Sequence, residues 1–248
     1  MIPEKIIPKA RTTKYNDLLD AVGMDSQTQL RLDAVRLRIA DMSSKAVQKY
    51  GQGRALEIGS GTGTFSDEFR SHFSTYVTLD YEVRSRNLQV QGDGQVLPFE
   101  HNSFNTVISI DVLEHVQHPW KMFSEINRIL IPGGKMILIT PFYFWAHEEP
   151  NDYFRVSKYG LLHLCKENNM EILQLQPTCG VVASYGLLTT IALTRLLYRI
   201  PPVLIFALRF SHLVQKSFLL WLDDNVDRSK RFAQGHIVVA TKELDIKI

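Results

Sequence analysis

Apolar residues follow two rhythms along this chain. Short unbroken apolar runs, bounded by glycine, proline or an acid, alternate with stretches whose apolar positions recur every three or four residues. The first pattern predicts buried strands and the second amphipathic helices. Strands are expected at Ala55–Ile58, Thr75–Asp80, Phe104–Asp111, Lys135–Thr140, Glu171–Gln176 and Gly235–Lys242. Helices are expected between them at Thr62–Phe73, Pro119–Leu130 and Ser157–Asn168, while Tyr81–Gln91 is too short for a crossover helix and reads as a reduced turn. Ahead of the first strand, a short helix is expected near Tyr15–Val22. A longer one runs from Asp25 to Tyr50, where Leu32, Val35, Ile39, Met42 and Ala46 share a face, with Asp25 or Ser26 as N-cap and Gly51 as the stop. Strands alternating with helices imply an α/β protein with a largely parallel sheet.

Composition narrows the picture only slightly. The chain has 248 residues, 45% of them hydrophobic and 22% charged, as in an ordinary globular protein. A net charge of +2 gives no basic stripe for nucleic acid. Cys165 and Cys179 have no metal-ligand or disulfide spacing and read as reduced thiols, and no secretory leader pattern opens the chain, so a cytoplasmic location is expected.

The candidate chemistry begins at Ala55-Leu-Glu-Ile-Gly-Ser-Gly-Thr-Gly-Thr-Phe-Ser66, where the first strand breaks at glycines 59, 61 and 63. Such a strand–turn–helix presents backbone N–H groups to a cofactor. The dinucleotide spacing fails, because its third glycine would fall at Thr64. The acid Glu57, two residues before Gly59, suits a cationic ligand group better than a pyrophosphate. Asp80 closes the second strand 21 residues after Gly59, where a carboxylate can accept from ribose hydroxyls.

This Glu57-x-Gly59-x-Gly61-x-Gly63 pattern resembles motif I of the class I S-adenosylmethionine (SAM) methyltransferases. The resemblance continues through Asp80, Gly92-Asp-Gly94, Leu97-Pro-Phe99 and Glu125-Ile-Asn-Arg-Ile-Leu-Ile-Pro-Gly-Gly134, covering residues 53–141. It implies a Rossmann-like, seven-stranded sheet with helices on both faces. SAM would be held by Glu57, Gly59, Ser60, Gly61, Gly63, Asp80, Tyr81, Asp93, Gly94 and Asp111, with S-adenosyl-L-homocysteine as product. Asp93 would accept from the adenine amino group, and Tyr81 would lean on the ring.

After the fifth strand, Pro141-Phe-Tyr-Phe-Trp-Ala-His-Glu-Glu-Pro-Asn-Asp-Tyr-Phe-Arg155 resembles a bacterial subgroup of these enzymes often tied to polysaccharide biosynthesis. His147 is the first candidate base, because histidine titrates nearest the working pH. Asp152 would orient it or bind a sugar hydroxyl, Tyr153 would wall the pocket, and Arg155 would pair with a substrate anion or with Asp152. His115 is either a cleft residue or a structural one. No metal is expected, and the reaction read from these residues is metal-independent O-methylation of a hydroxyl on a small biosynthetic intermediate. N-methylation of an amine is the enzymatic alternative, and a non-catalytic SAM-binding assembly protein the alternative from another class.

Three units follow: a helical cover over 1–52, a core over 53–179 and 235–248, and a helical insertion over 180–234. The insertion holds Arg195, Arg199, Arg209 and Lys216 with no acid between Val181 and Leu222, and Pro201-Pro202 splits it into two helices. Arg209, His212 and Lys216 share one helical face. That pattern suits a lid, a dimer interface, or contact with an anionic inner-membrane surface or a lipid-linked or glycan acceptor. Asp223–Arg231 is expected to be an exposed return loop.

Overall fold

The computed structural model describes residues 34–197, 200–214, 218–226 and 230–244. The expected helix at Tyr15–Val22 and the start of the leading helix lie outside them. Among the described residues, seven strands form one sheet: β1 (Arg54–Ile58), β2 (Thr75–Asp80), β3 (Val90–Gln91), β4 (Phe104–Ile110), β5 (Leu130–Pro141), β6 (Met170–Pro177) and β7 (Gly235–Lys242). Their order is β3-β2-β1-β4-β5-β7-β6. The pairs from β3 to β5 are parallel, and β7 runs antiparallel between β5 and β6. The order reverses beside β1, so β1 and β4 flank the switch point where ligands sit in such sheets.

The strand residues are apolar in unbroken runs because both faces of the sheet are covered. Leu56, Ile58, Val107, Met136, Leu138, Val238 and Ala240 pack on one face with α3 (Pro119–Ile129) and α4 (Lys158–Glu167). Ala55, Ile108, Ile137, Ile139, Ile237 and Val239 pack on the other with α1 (Ala34–Tyr50), α2 (Ser66–Arg70) and α5 (Val181–Leu197). Helix α3 shows how pattern becomes packing. Met122, Phe123, Ile126 and Ile129 recur on one face and are fully buried, and Pro119 starts the helix, where a missing N–H costs nothing. Ser157 caps α4 by accepting from the Gly160 N–H at 3.2 Å. Cys165 and Cys179 belong to opposite faces of the sheet.

Strand β5 begins at Leu130 rather than Lys135, and two larger expectations change. The first crossover helix is α2, five residues rather than the twelve of Thr62–Phe73. Glycines with positive φ at 59, 61 and 63 hold the chain out of helical conformation until Thr64, and the turn at His72–Ser74 must already feed β2. The second concerns the return segment. Asp223 is not in an exposed loop; it sits in α7 (Leu220–Asn225) and is fully buried. Its carboxylate accepts from the N–H groups of Gly180 at 2.8 Å and Ala183 at 3.1 Å, and from Lys230 Nζ at 3.0 Å. Helix α5 begins after Gly180, which has no capping side chain, so an acid some forty residues later supplies the cap.

That cap ties the insertion into the core. Ala183 and Leu187 of α5 are buried against Ile139, Ile237 and Val239, and Arg38 of α1 pairs with Asp224 at 2.6 Å. Beyond α5, helix α6 (Pro201–Val214) leaves Val203, Phe206, Phe210 and Leu213 exposed along one side. No helix among the described residues is long and apolar enough to cross a membrane.

Candidate active site

The carboxyl ends of β1, β2, β4 and β5 open into a cleft of about 670 Å³, well within the size range of small-molecule sites. Val35, Arg36 and Ile39 of α1 and Leu187 of α5 form part of its wall.

The glycine turn builds one end. Gly59 takes φ of +74°, and a Cβ there would stand 2.2 Å from a Val112 methyl, so glycine is required by both conformation and space. Gly61 has φ of +54° with nothing within 4 Å of a built Cβ, which leaves its surface open to the cleft. Its N–H donates to Asp80 Oδ2 at 2.7 Å, and the other Asp80 oxygen accepts from Glu82 N–H at 2.9 Å. The carboxylate therefore sets the turn and also lines the cleft. Ser60, Tyr81, Asp93 and Gly94 line it too, with Tyr81 71% exposed at the mouth. Asp93 is tied into its own turn by the backbone and side chain of Gln95. Gly63 stands outside the lining.

Glu57 lies in the cleft wall with a different immediate task from the one its sequence position implied. It is 4% exposed, and its carboxylate accepts from Ser66 Oγ at 2.5 Å, anchoring α2 to β1. Burial pushes its carboxyl up to about 7, against the pull of the Ser66 and Tyr76 hydroxyls.

The other end is assembled from two loops distant in sequence. A 3₁₀ turn, Leu113–His115, follows β4, and residues 142–155 follow β5. The two are stitched together by the N–H groups of Tyr153 and Phe154, which donate to the Glu114 carbonyl at 2.8 and 3.3 Å. His115 and His147 meet edge to face, ring centroids 4.7 Å apart. Between them sits the fully buried carboxylate of Glu114, with Oε1 3.8 Å from His115 Nε2 and 3.7 Å from His147 Nε2. Oε1 has no hydrogen-bond partner among the described residues. Burial, reinforced by Asp111, pushes the Glu114 carboxyl well above the usual carboxylate range. Asp111 opens to the cleft in a left-handed conformation, φ +53°, but protein encloses its other sides and raises its carboxyl to about 6, with Arg36 opposing the shift. Burial and then the neighbouring His115 lower His147, so it is neutral near pH 7.

Asp152 and Arg155 stand behind this cluster rather than in the cleft. Arg155 donates twice to Asp152, at 2.5 and 2.7 Å, and also to the carbonyls of Phe144, Trp145 and Phe154. Its fork is spent on the loop, so the substrate-anion role gives way to the ion-pair alternative. Burial raises the Asp152 carboxyl, but Arg155 and the His147 N–H together hold it below its ordinary value. The Tyr153 hydroxyl donates to Asn151 and receives from Gln117 at the cleft edge. Across the mouth, Arg84 makes a two-pronged bridge to Glu148 at 3.3 and 3.1 Å.

Sequence reasoning missed Glu114. An acid wedged between the apolar Leu113 and Val116 at the end of a buried strand was the available signal, since such an acid is buried only for a reason.

Residues 56–138 match the family model described as "Methyltransferase domain". An uncharacterized methyltransferase of Mycobacteroides abscessus is 31% identical over 124 residues, which cover 44% of this chain and 48% of the relative. The chain thus spans about half the length of the curated relatives it matches. Among solved structures, the [4+2]-cyclase SpnF superposes with TM-score 0.55 at 16% identity, covering 84% of this chain and 82% of its own. Phosphoethanolamine N-methyltransferase 2 of Haemonchus contortus, solved with S-adenosylhomocysteine, superposes with TM-score 0.52 at 17% identity, covering 94% and 61%. The fold is that of these proteins. The match to the methyltransferase model is confined to residues 56–138, and the solved structures share the fold.

SAM is the cofactor of that domain class, and the cleft fits it. An open glycine surface at Gly61, a carboxylate at the end of β2 and a wall at Tyr81 and Asp93 are the contacts a nucleoside with a charged tail requires.

Proposed function

We propose that the protein is a SAM-dependent methyltransferase acting on a hydroxyl of a small biosynthetic intermediate. One observation carries the choice of hydroxyl: the cleft that holds the glycine turn ends at Glu114, His115 and His147, a group able to manage a proton. An amine acceptor can bind as the free base already present in solution and leans less on such a cluster; a hydroxyl must lose its proton as the new bond forms.

Bound SAM supplies an electrophilic methyl on a sulfonium. The chain's own residues do the rest. The Gly59–Gly61 turn, Asp80 and Asp93 would hold the nucleoside end of SAM at the cleft they line. Helix α1, Leu187 and the Arg84–Glu148 bridge limit water around it. Alignment of this kind can supply about 7–11 kcal/mol of the barrier. Removal of the hydroxyl proton at the histidine end adds about 10²–10⁴-fold. Asp152 and Arg155 hold the His147 loop in place.

The test is transfer of labelled methyl from SAM to matched hydroxyl and amine acceptors. Hydroxyl acceptors should be methylated with a rate that rises with pH through neutrality, and His147→Ala should lower kcat by at least 100-fold. Turnover confined to amines, or a His147→Ala variant with wild-type kcat, would overturn the reading.

A further inference from the structure

We propose that Glu114, His115 and His147 form a binding site for one borderline first-row divalent cation, of the Mn²⁺ or Zn²⁺ class, facing the acceptor end of the cleft. This rests on the functional reading above and replaces the metal-free chemistry expected from sequence.

The argument starts from which atoms carry protons. His115 Nδ1 lies 2.7 Å from the Asn151 carbonyl, an acceptor only, so that nitrogen carries the hydrogen. His147 Nδ1 lies 3.3 Å from the Trp145 carbonyl and 3.5 Å from Asp152 Oδ2, again acceptors only. Both Nε2 atoms are then bare lone pairs, and both face Glu114 Oε1. With Glu114 ionised, three acceptors converge, and its oxygen is fully buried with no hydrogen-bond partner among the described residues. A proton on Glu114 or a cation held between the three atoms satisfies such an arrangement, and the geometry admits the cation.

The spacing admits a cation. The three candidate ligand atoms lie within 4.8 Å of one another. Two metal–ligand bonds of about 2.1 Å span at most about 4.2 Å, so the 3.7 and 3.8 Å pairs already lie within that reach and the widest needs closure by roughly half an ångström. The surroundings match as well. Ligating histidines usually give their other N–H to a carbonyl or carboxylate that fixes the ring, which is what Asn151, Trp145 and Asp152 do here. Two imidazoles in a set of three favour a first-row cation over Mg²⁺ or Ca²⁺.

Three protein ligands leave positions for an acceptor oxygen. A coordinated hydroxyl releases its proton to solvent. Its oxygen lone pair forms the new C–O bond as the C–S pair returns to sulfur, giving a methyl ether, S-adenosylhomocysteine and one proton.

The test uses the full chain, stripped with chelator and freed of it, titrated with Mn²⁺ by electron paramagnetic resonance and with Zn²⁺ by calorimetry. S-adenosylhomocysteine affinity is measured in parallel. One cation should bind per chain, and His147→Ala and Glu114→Gln should each weaken it at least 100-fold while S-adenosylhomocysteine binds both variants within threefold of wild type. Protein that binds S-adenosylhomocysteine but neither cation would overturn the site, as would cation binding untouched by both substitutions. Cation binding that both substitutions abolish, in protein that never binds S-adenosylhomocysteine, would uphold the site and overturn the cofactor reading beneath it.

Discussion

The two ends of the cleft are built differently. The end proposed for the cofactor is local: a turn of five residues, Gly59–Gly63, with one carboxylate from the adjacent strand fastening it through the Gly61 N–H. The end proposed for the acceptor is assembled at a distance, with Glu114 and His115 meeting His147 across more than thirty residues and held by Asp152, Arg155 and backbone hydrogen bonds. A local device tolerates little change in its own residues. A distant one depends on everything that brings its parts together.

That contrast can be broken most sharply at Gly59. Gly59→Ala places a methyl against Val112 in a strained conformation, and should cost about 3–5 kcal/mol by denaturant unfolding and abolish S-adenosylhomocysteine binding. A stable variant that still binds would show that the turn is adjustable.

A smaller effect should appear at Glu57, as a pH dependence. Its folded-state value of about 7 lies above the ordinary 4.5, so the folded state keeps a proton the unfolded chain has already lost. Stability from this group is therefore greatest below pH 4.5 and falls as pH rises toward 7, by about 3 kcal/mol at most. In Glu57→Gln that decline should disappear from urea midpoints measured between pH 5 and 8.

At the acceptor end, Asp152→Ala leaves Arg155 without its partner, and should cost about 2 kcal/mol of stability. Turnover should fall at least tenfold while S-adenosylhomocysteine affinity changes less than threefold. Equal losses in both would mean that the two ends are one unit.

The smallest effect belongs to Arg84→Ala. Both partners of its bridge to Glu148 are exposed, so stability should change by less than about 1 kcal/mol, with at most a modestly faster release of S-adenosylhomocysteine in stopped-flow.

The same division explains what the sequence made legible. Strand limits such as Thr75–Asp80 and Gly235–Lys242 were read residue for residue, because strands buried on both faces announce themselves as apolar runs. The glycine turn was legible for the same local reason. Asp223 was not: nothing in Leu-Trp-Leu-Asp-Asp-Asn shows that its carboxylate will cap a helix beginning at Val181. Glu114 was not singled out because its role exists only once β4 and β5 lie side by side and His147 folds over. Arg155 read as pairing with either a substrate anion or Asp152, because a sequence cannot show that its five donors are already taken by the loop's own carbonyls and Asp152.

The most direct measurement is calorimetric titration of S-adenosylhomocysteine into the wild type, Asp80→Ala and His147→Ala. The account predicts micromolar binding by the wild type, at least tenfold weaker binding by Asp80→Ala, and unchanged binding by His147→Ala. A folded wild type that does not bind, or Asp80→Ala binding as well as wild type, would contradict the placement of the cofactor at the glycine turn.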